Sequence, residues 1–325
     1  MPQRLSGEAQ MAGQATPNNP GPRNEAVPAA AGPERMQRTT FWARFLHDKY
    51  GMIGAAVVSV YAFVVIFAPW VAPHDPYVFD VNNLFRPPAF LPGGTTTYLL
   101  GTDELGRDML SRLIFGMRLS LFMSLAVVAI IVVFGTVVGM LGAYYGGWVN
   151  SLLMRVTDIQ LSFPVVILAI SILAVTTPTV PAIIAVLAIG NWPIYARVTR
   201  GVALGEKVKE YVKAAQALGA SDFRVIFKYI LGNIGASILV VSILDLAAMV
   251  IWEAVLGFIG LSVLPPTPTL GNIMGDGKNY MINAWWISTL PGIIMFFLLS
   301  GLSLLGEGIS KASGVRGETQ VQSAI

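Results

Sequence analysis

Long uninterrupted apolar runs constrain this chain more than any other feature. The run 119–143 contains no Asp, Glu, Lys or Arg, and comparable runs recur at 52–71, 157–175, 182–196, 234–261 and 286–305. About 20 apolar residues cover the hydrocarbon core of a bilayer as a helix. Lipid offers no partner for backbone N–H and C=O groups, so only helices or closed barrels can span it. The runs are continuous rather than alternating, which selects helices. The expectation is an all-α polytopic membrane protein with six spans over those ranges. Composition agrees: charged residues make up 12% of the 325 and hydrophobic ones 54%, against roughly a quarter charged in an ordinary soluble domain.

The charges between the runs orient the bundle. The segment 197–228 carries Arg197, Arg200, Lys207, Lys209, Lys213, Arg224 and Lys228. Cytoplasmic loops are enriched in Lys and Arg, so this segment is expected inside, with both termini. The segment 73–118 holds Arg86, Arg107, Arg112 and Arg118 and is expected outside. Residues 1–40, rich in Pro, Gly, Ala, Gln and Asn, read as a disordered cytoplasmic tail. Residues 41–50 form an interfacial lead-in, 51–118 the first span plus an outer loop, 119–306 the core with the loop 197–232, and 307–325 a cytoplasmic tail.

Several function classes are excluded. There is no cysteine, and His47 and His74 have no second ligand at helical spacing, so neither a metal site nor a cofactor is expected. A net charge of +3 reflects the inside bias and does not call for nucleic acid. No Gly-x-x-x-x-Gly-Lys-Ser/Thr loop occurs, so any ATP-driven motor must be another polypeptide. No Ser/His or Cys/His set supports nucleophilic catalysis, and the chain reads as a non-enzyme.

Within the basic loop, 210–220 has the pattern of a short amphipathic helix. Tyr211, Ala214, Ala215 and Leu218 fall at helical spacing on one face, and Gly219 supplies a left-handed cap. Such a helix can dock a soluble partner or lie on anionic headgroups through its lysines. Further on, Asp245 and Glu253 lie inside the fifth run, where ionisable groups are candidates for a pathway or gate. Their separation puts them within about 80° on a helix, so both can face one aqueous path. A proton-coupled carrier using either acid is the alternative to an externally driven pump. The glycines at 135, 139, 142 and 146 permit close helix approach, and Asn191-Trp192-Pro193 is expected to interrupt the fourth span. Arg155 and Asp158 are expected to pair.

Three motifs resemble a known family. Lys213-Ala214-Ala215 with Gly219 and Ile230-Leu231 is similar to the Glu-Ala-Ala loop of ABC-importer permeases. Here Lys213 replaces the usual glutamate, Tyr229 stands where Ile or His is common, and Gly232 replaces proline; Glu210 lies one turn earlier. The stretch from Leu100 to Asp108, continuing through Ser111-Arg112-Leu113, Gly116, Arg118 and Ser120-Leu121, resembles the dipeptide/oligopeptide branch. So does Glu253-Ala254 with Gly257-Phe258-Ile259-Gly260-Leu261, Pro265-Pro266-Thr267-Pro268 and Gly271.

The resemblance implies a C-type inner-membrane subunit with a type I importer transmembrane domain, in the bacterial inner membrane. It implies di- or oligopeptide cargo, although related systems carry nickel chelates or glutathione-like compounds. The implied partners are a second homologous permease in a heterodimer, one or two ATP-binding subunits, an extracytoplasmic solute-binding protein and membrane lipid. Residues Glu210, Tyr211, Lys213, Ala214, Ala215, Leu218 and Gly219 would then form the coupling helix that seats on the ATPase. Gly101, Thr102, Asp103, Gly106, Arg107 and Asp108 form an outer structural motif, expected as a compact turn locked by exposed ion pairs.

Overall fold

The computed structural model describes residues 41–314; the expected tail 1–40 and the end of the 307–325 segment lie outside them. Among the described residues there is no strand, only an isolated bridge between Thr102 and Asp108. In chain order the helices are α1 (Phe41–His47), α2 (Lys49–Ile66), α3 (Ala68–Val71), α4 (Met109–Tyr145), α5 (Gly147–Leu161) and α6 (Val165–Leu173). They continue with α7 (Val180–Lys207), α8 (Glu210–Ala217), α9 (Asp222–Arg224), α10 (Leu231–Phe258), α11 (Leu270–Gly277) and α12 (Trp286–Ser313). A π-helical stretch, Val225–Ile230, joins α9 to α10.

Five helices are long and apolar enough to cross a membrane: α2, α4, α7, the continuous Asp222–Phe258 segment and α12. The α5–α6 pair, bent by 74° at a short break, brings the candidates to six if it is counted as one span. The six apolar runs thus correspond to five long helices and one bent pair, with altered limits. The third run, expected as one helix over 157–175, is broken at Ser162-Phe163-Pro164, where proline removes a donor and forces the preceding residue out of the helix. The fourth runs through Pro193 to Lys207 and is not interrupted at 191–193. The helix α12 continues past the expected limit of 305 to Ser313.

Local chemistry sets these limits. Asp108 caps α4, its carboxylate accepting from the Ser111 N–H at 2.9 Å. The 37 residues of α4 reach about 55 Å, well beyond a hydrocarbon core of roughly 30 Å. Thr179 caps α7 with Pro181 in its first turn, where a missing N–H costs nothing.

Two glycine seams hold the bundle. A Cβ on Gly135 would stand 2.7 Å from Tyr195 Cβ, and one on Gly139 2.9 Å from Thr199 Cβ, so α4 and α7 approach backbone to side chain. Gly142 and Gly146 do not serve that seam. The second seam joins α2 to α12: a Cβ on Gly51 would lie 2.9 Å from Gly308 Cα, and one on Gly54 2.8 Å from the Gly301 carbonyl. Apolar packing fills the remainder in three clusters. One lies among α4, α10, α11 and α12, one among α4, α6, α7 and α10, and one where α4 and α7 meet α8 and the π-helical stretch.

Candidate functional site

At the basic end, α8 is short, and its buried pair Val212 and Ala215 sits three residues apart. Val212 packs among Met140, Ala143, Tyr144, Ala203, Val225 and Ile226. This corrects the expected single face: Ala215 turns inward with Val212, while Tyr211, Ala214 and Leu218 remain outside. Leu218 is 88% exposed and Phe223 71%. The helix ends in a double turn, with Ala220 N–H donating to Ala215 O at 3.0 Å and Gly219 N–H to Gln216 O at 2.9 Å. That pairing requires a left-handed residue after the cap, and Gly219 has φ +81°. Glu210 and Lys213 are exposed, and neither forms an ion pair among the described residues.

Two side-chain clamps fix α8 to the membrane helices. Glu206, at the end of α7, accepts from the Tyr211 hydroxyl on one oxygen and pairs with Lys209 at 2.6 Å on the other. Desolvation and the adjacent Glu206 push the Tyr211 hydroxyl up to about 12. Tyr144, at the end of α4, donates to Asp222 at 2.6 Å and accepts from Gln216 at 3.4 Å. Lys207 reaches the last carbonyls of α4, at Ala143 (3.2 Å) and Tyr144, and lies over the Tyr144 ring. α8 is thereby bonded to both α7, through Tyr211, and α4, through Gln216. Sequence reasoning missed Glu206, Tyr144, Gln216 and Asp222. Only the Glu206/Lys209 spacing, one turn apart, was a local signal.

The same end corrects another pairing. Asp158 bonds to Arg197 on α7, and Arg155 is exposed without an ion pair among the described residues.

At the opposite end the outer motif is buried, contrary to the expectation of exposed pairs. Asp103 is 0% exposed, Arg107 and Arg112 2% each. Asp103 binds Arg107 Nε at 2.6 Å and also Arg112, and accepts from the Leu105 and Arg107 N–H groups at 2.8 and 2.9 Å. Arg107 also holds Glu104 (3.0 Å), and Arg112 reaches Asp276 on α11 (3.3 Å). Thr102 is fixed from both sides: its hydroxyl accepts from Arg86 N–H at 2.8 Å, and its carbonyl accepts from Trp286 Nε1 at 3.0 Å. Gly106, at φ +74°, lies where a Cβ would strike the Asp80 carbonyl, and Gly101 has φ +79°. The motif thus ties the outer segment to α4, α11 and α12.

Burial, and next the charge of Asp103, hold the Glu104 carboxyl above the ordinary glutamate range despite its bond to Arg107. A raised folded-state value means that its contribution to stability is full at low pH and lost as pH rises through that value. Glu104→Gln, which keeps an acceptor for Arg107, is therefore expected to leave stability at pH 7 unchanged or slightly higher. Its unfolding midpoint should also fall less than the parent's as pH rises above the ordinary glutamate range. A midpoint lowered equally at every pH would show the charge to be needed.

The two embedded acids do not share one open face. Glu253 is fully buried, its Oε1 accepting from Ser262 at 3.1 Å, where Gly257 and Gly271 bring α10 against α11. Asp245 is half-buried and has no hydrogen bond or ion pair among the described residues.

The sequence pattern of the binding-protein-dependent transport system inner membrane component family matches residues 135–313. The chain belongs to that family. The N-terminal TM domain of oligopeptide transport permease C matches residues 37–88, covering α2 and the start of the outer segment. Among curated relatives, the di/tripeptide transport system permease protein DppC of Pseudomonas aeruginosa is 38% identical over 84% of this chain and 90% of its own length. The dipeptide transport system permease protein DppC of Haemophilus influenzae is 35% identical over 84% and 92%. Among solved structures, one of the MetNI methionine ABC transporter in inward facing conformations has a TM-score of 0.54 at 20% identity. It covers 64% of this chain and 98% of that one, a likeness of fold alone. As a member of this family, the chain is an inner-membrane permease subunit of a binding-protein-dependent ABC importer, with a type I transmembrane fold.

Proposed function

We propose that this permease carries di- or oligopeptides and takes its driving force from an ATP-binding subunit docked on α8. The observation that carries the coupling is the pair of clamps, Glu206/Tyr211 and Tyr144/Gln216, which join α8 to the ends of α7 and α4, with Tyr144 also holding Asp222 of α9. The apolar surface left outside, Tyr211, Ala214, Leu218 and Phe223, suits a groove on a soluble protein. Burying such anchors is where interface energy concentrates. A second permease would complete the pathway, and a solute-binding protein would deliver cargo to the outer segment. The names of the curated relatives support peptide cargo. Of the two acids, Asp245 is the one free to meet a passing ligand. No observation favours the proton-coupled alternative.

The test is reconstitution of the permease with a second permease, ATP-binding subunits and a solute-binding protein in vesicles. Uptake of labelled dipeptide should require both ATP and the binding protein. Uptake by the permease alone, driven by a proton gradient without nucleotide, would refute the proposal. ATP-dependent uptake of another solute, with dipeptide excluded, would refute the cargo assignment alone.

A further inference from the structure

A cavity of about 730 Å³ opens between α2 and the core on the outer half of the bundle. Its origin is visible in the packing. The glycine seam holds α2 tightly to α12 through Gly51, Gly54, Gly301 and Gly308 at the basic end. Toward the other end the Tyr61 hydroxyl donates to Ile294 O at 2.7 Å. On the α4 side the space is left open.

The lining changes character along its length. Near the outer end stand Arg118, Tyr77 and Thr267; deeper lie Val58, Leu125 and Leu302. Arg118 to Leu125 is seven residues of α4, a depth of about 10 Å. Arg118 itself lies nine residues inside the start of α4, about 14 Å along the axis. It is exposed and has no hydrogen bond or ion pair among the described residues. The acids of the outer motif are committed elsewhere: Asp103, Glu104 and Asp276 to Arg107 and Arg112, and Asp108 to the α4 cap. An unpaired guanidinium at the outer rim is well matched to phosphate oxygens. The cavity is also within the size range of small-ligand sites, roughly 300–1,000 Å³.

We propose that this cavity binds an outer-leaflet glycerophospholipid, its phosphodiester on Arg118 and one acyl chain running down to Leu125 and Val58. A cationic rim over an apolar shaft matches an amphiphile in polarity and direction. A peptide or a partner helix offers no such gradient along its length. The lipid would fill the space that the seam leaves open and so hold α2 against α4.

The experiment uses the assembled importer in vesicles of phosphatidylethanolamine containing a phosphatidylglycerol with a diazirine midway along one acyl chain. After irradiation, labelled peptides are located by mass spectrometry. Label is expected on α2 around residues 58–66 and on α4 around 118–125. Arg118→Gln should reduce it about tenfold, the loss of a charge-assisted bond. Arg118→Lys should retain part of it. Ala62→Trp, which fills the cavity from α2 while leaving the charge, should reduce it to a similar degree and guards against misfolding of the arginine variant. Equal labelling in Arg118→Gln and wild type would overturn the proposal. So would capture of the second permease or of dipeptide by a photoreactive residue at position 125. Neither outcome depends on ATP-driven uptake, so this site and the coupling scheme fail separately.

Discussion

Replacing Asp103 with alanine is expected to cost about 3–5 kcal/mol, the usual penalty for stranding a buried charge. Two guanidiniums would lose their shared counterion at once, since Arg107 and Arg112 both rest on Asp103 and neither is more than 2% exposed. The remaining acids cannot substitute. Glu104 touches only Arg107, and Asp276, a third exposed, touches only Arg112. Two backbone donors, Leu105 and Arg107 N–H, would also lose their acceptor. Asp103→Asn, which keeps an acceptor but no charge, should fall between. The triple change Asp103→Ala, Arg107→Met, Arg112→Met should recover much of the loss, because it removes the charges together. The unfolding midpoint of the purified permease reads all three. If Asp103→Ala left that midpoint unmoved, the cluster would have to be solvated rather than buried.

That cluster also marks the limit of what the sequence discloses. The residues 101–118 announce ion pairing through their mixture of acids and arginines, but burial depends on Asp276 and Trp286, more than 160 residues later. Nothing local distinguishes a buried network from a surface one. Apolar runs, in contrast, reveal the five long spans and the bent α5–α6 pair, because lipid demands such runs wherever a chain crosses it. The boundaries slip where charge is a poor guide. Arg197 and Arg200 look like the start of a loop, yet both are helical, satisfied by Asp158 and Asn150 on α5. The broken third crossing shows the reverse case: Pro164 was a local breaker inside a run that hydropathy reads as continuous. On α8, the cap at Gly219 was legible from a single residue type. The inward turn of Val212 was not, because it follows from where Tyr144, Ile226 and Ala203 stand in the same cluster.

Gly219→Val is expected to abolish peptide uptake while leaving the permease folded and inserted. The reasoning is narrow because the position is open: a Cβ there meets nothing within 4 Å, so crowding contributes nothing. The whole cost is conformational. At φ +81° an L residue pays about 1–2 kcal/mol, and a β-branched one more. The double turn that closes α8 cannot form once that backbone angle is refused. Leu218 and Phe223, on either side of it, then lose their fixed spacing. Insertion should survive, since the spans are untouched. A graded series separates this from any unrelated defect. Asn tolerates the left-handed region, so Gly219→Asn should transport nearly as well as wild type, Ala less well, and Val not at all. Gly201→Ala, in an equally open site on α7 without positive φ, should be silent. The measurements are dipeptide taken up per ATP hydrolysed and the ATP-binding subunit retained on purification. A valine variant that transports normally would mean that the cap does not set the coupling surface. The order Asn, Ala, Val can arise only if the backbone angle at Gly219 governs it.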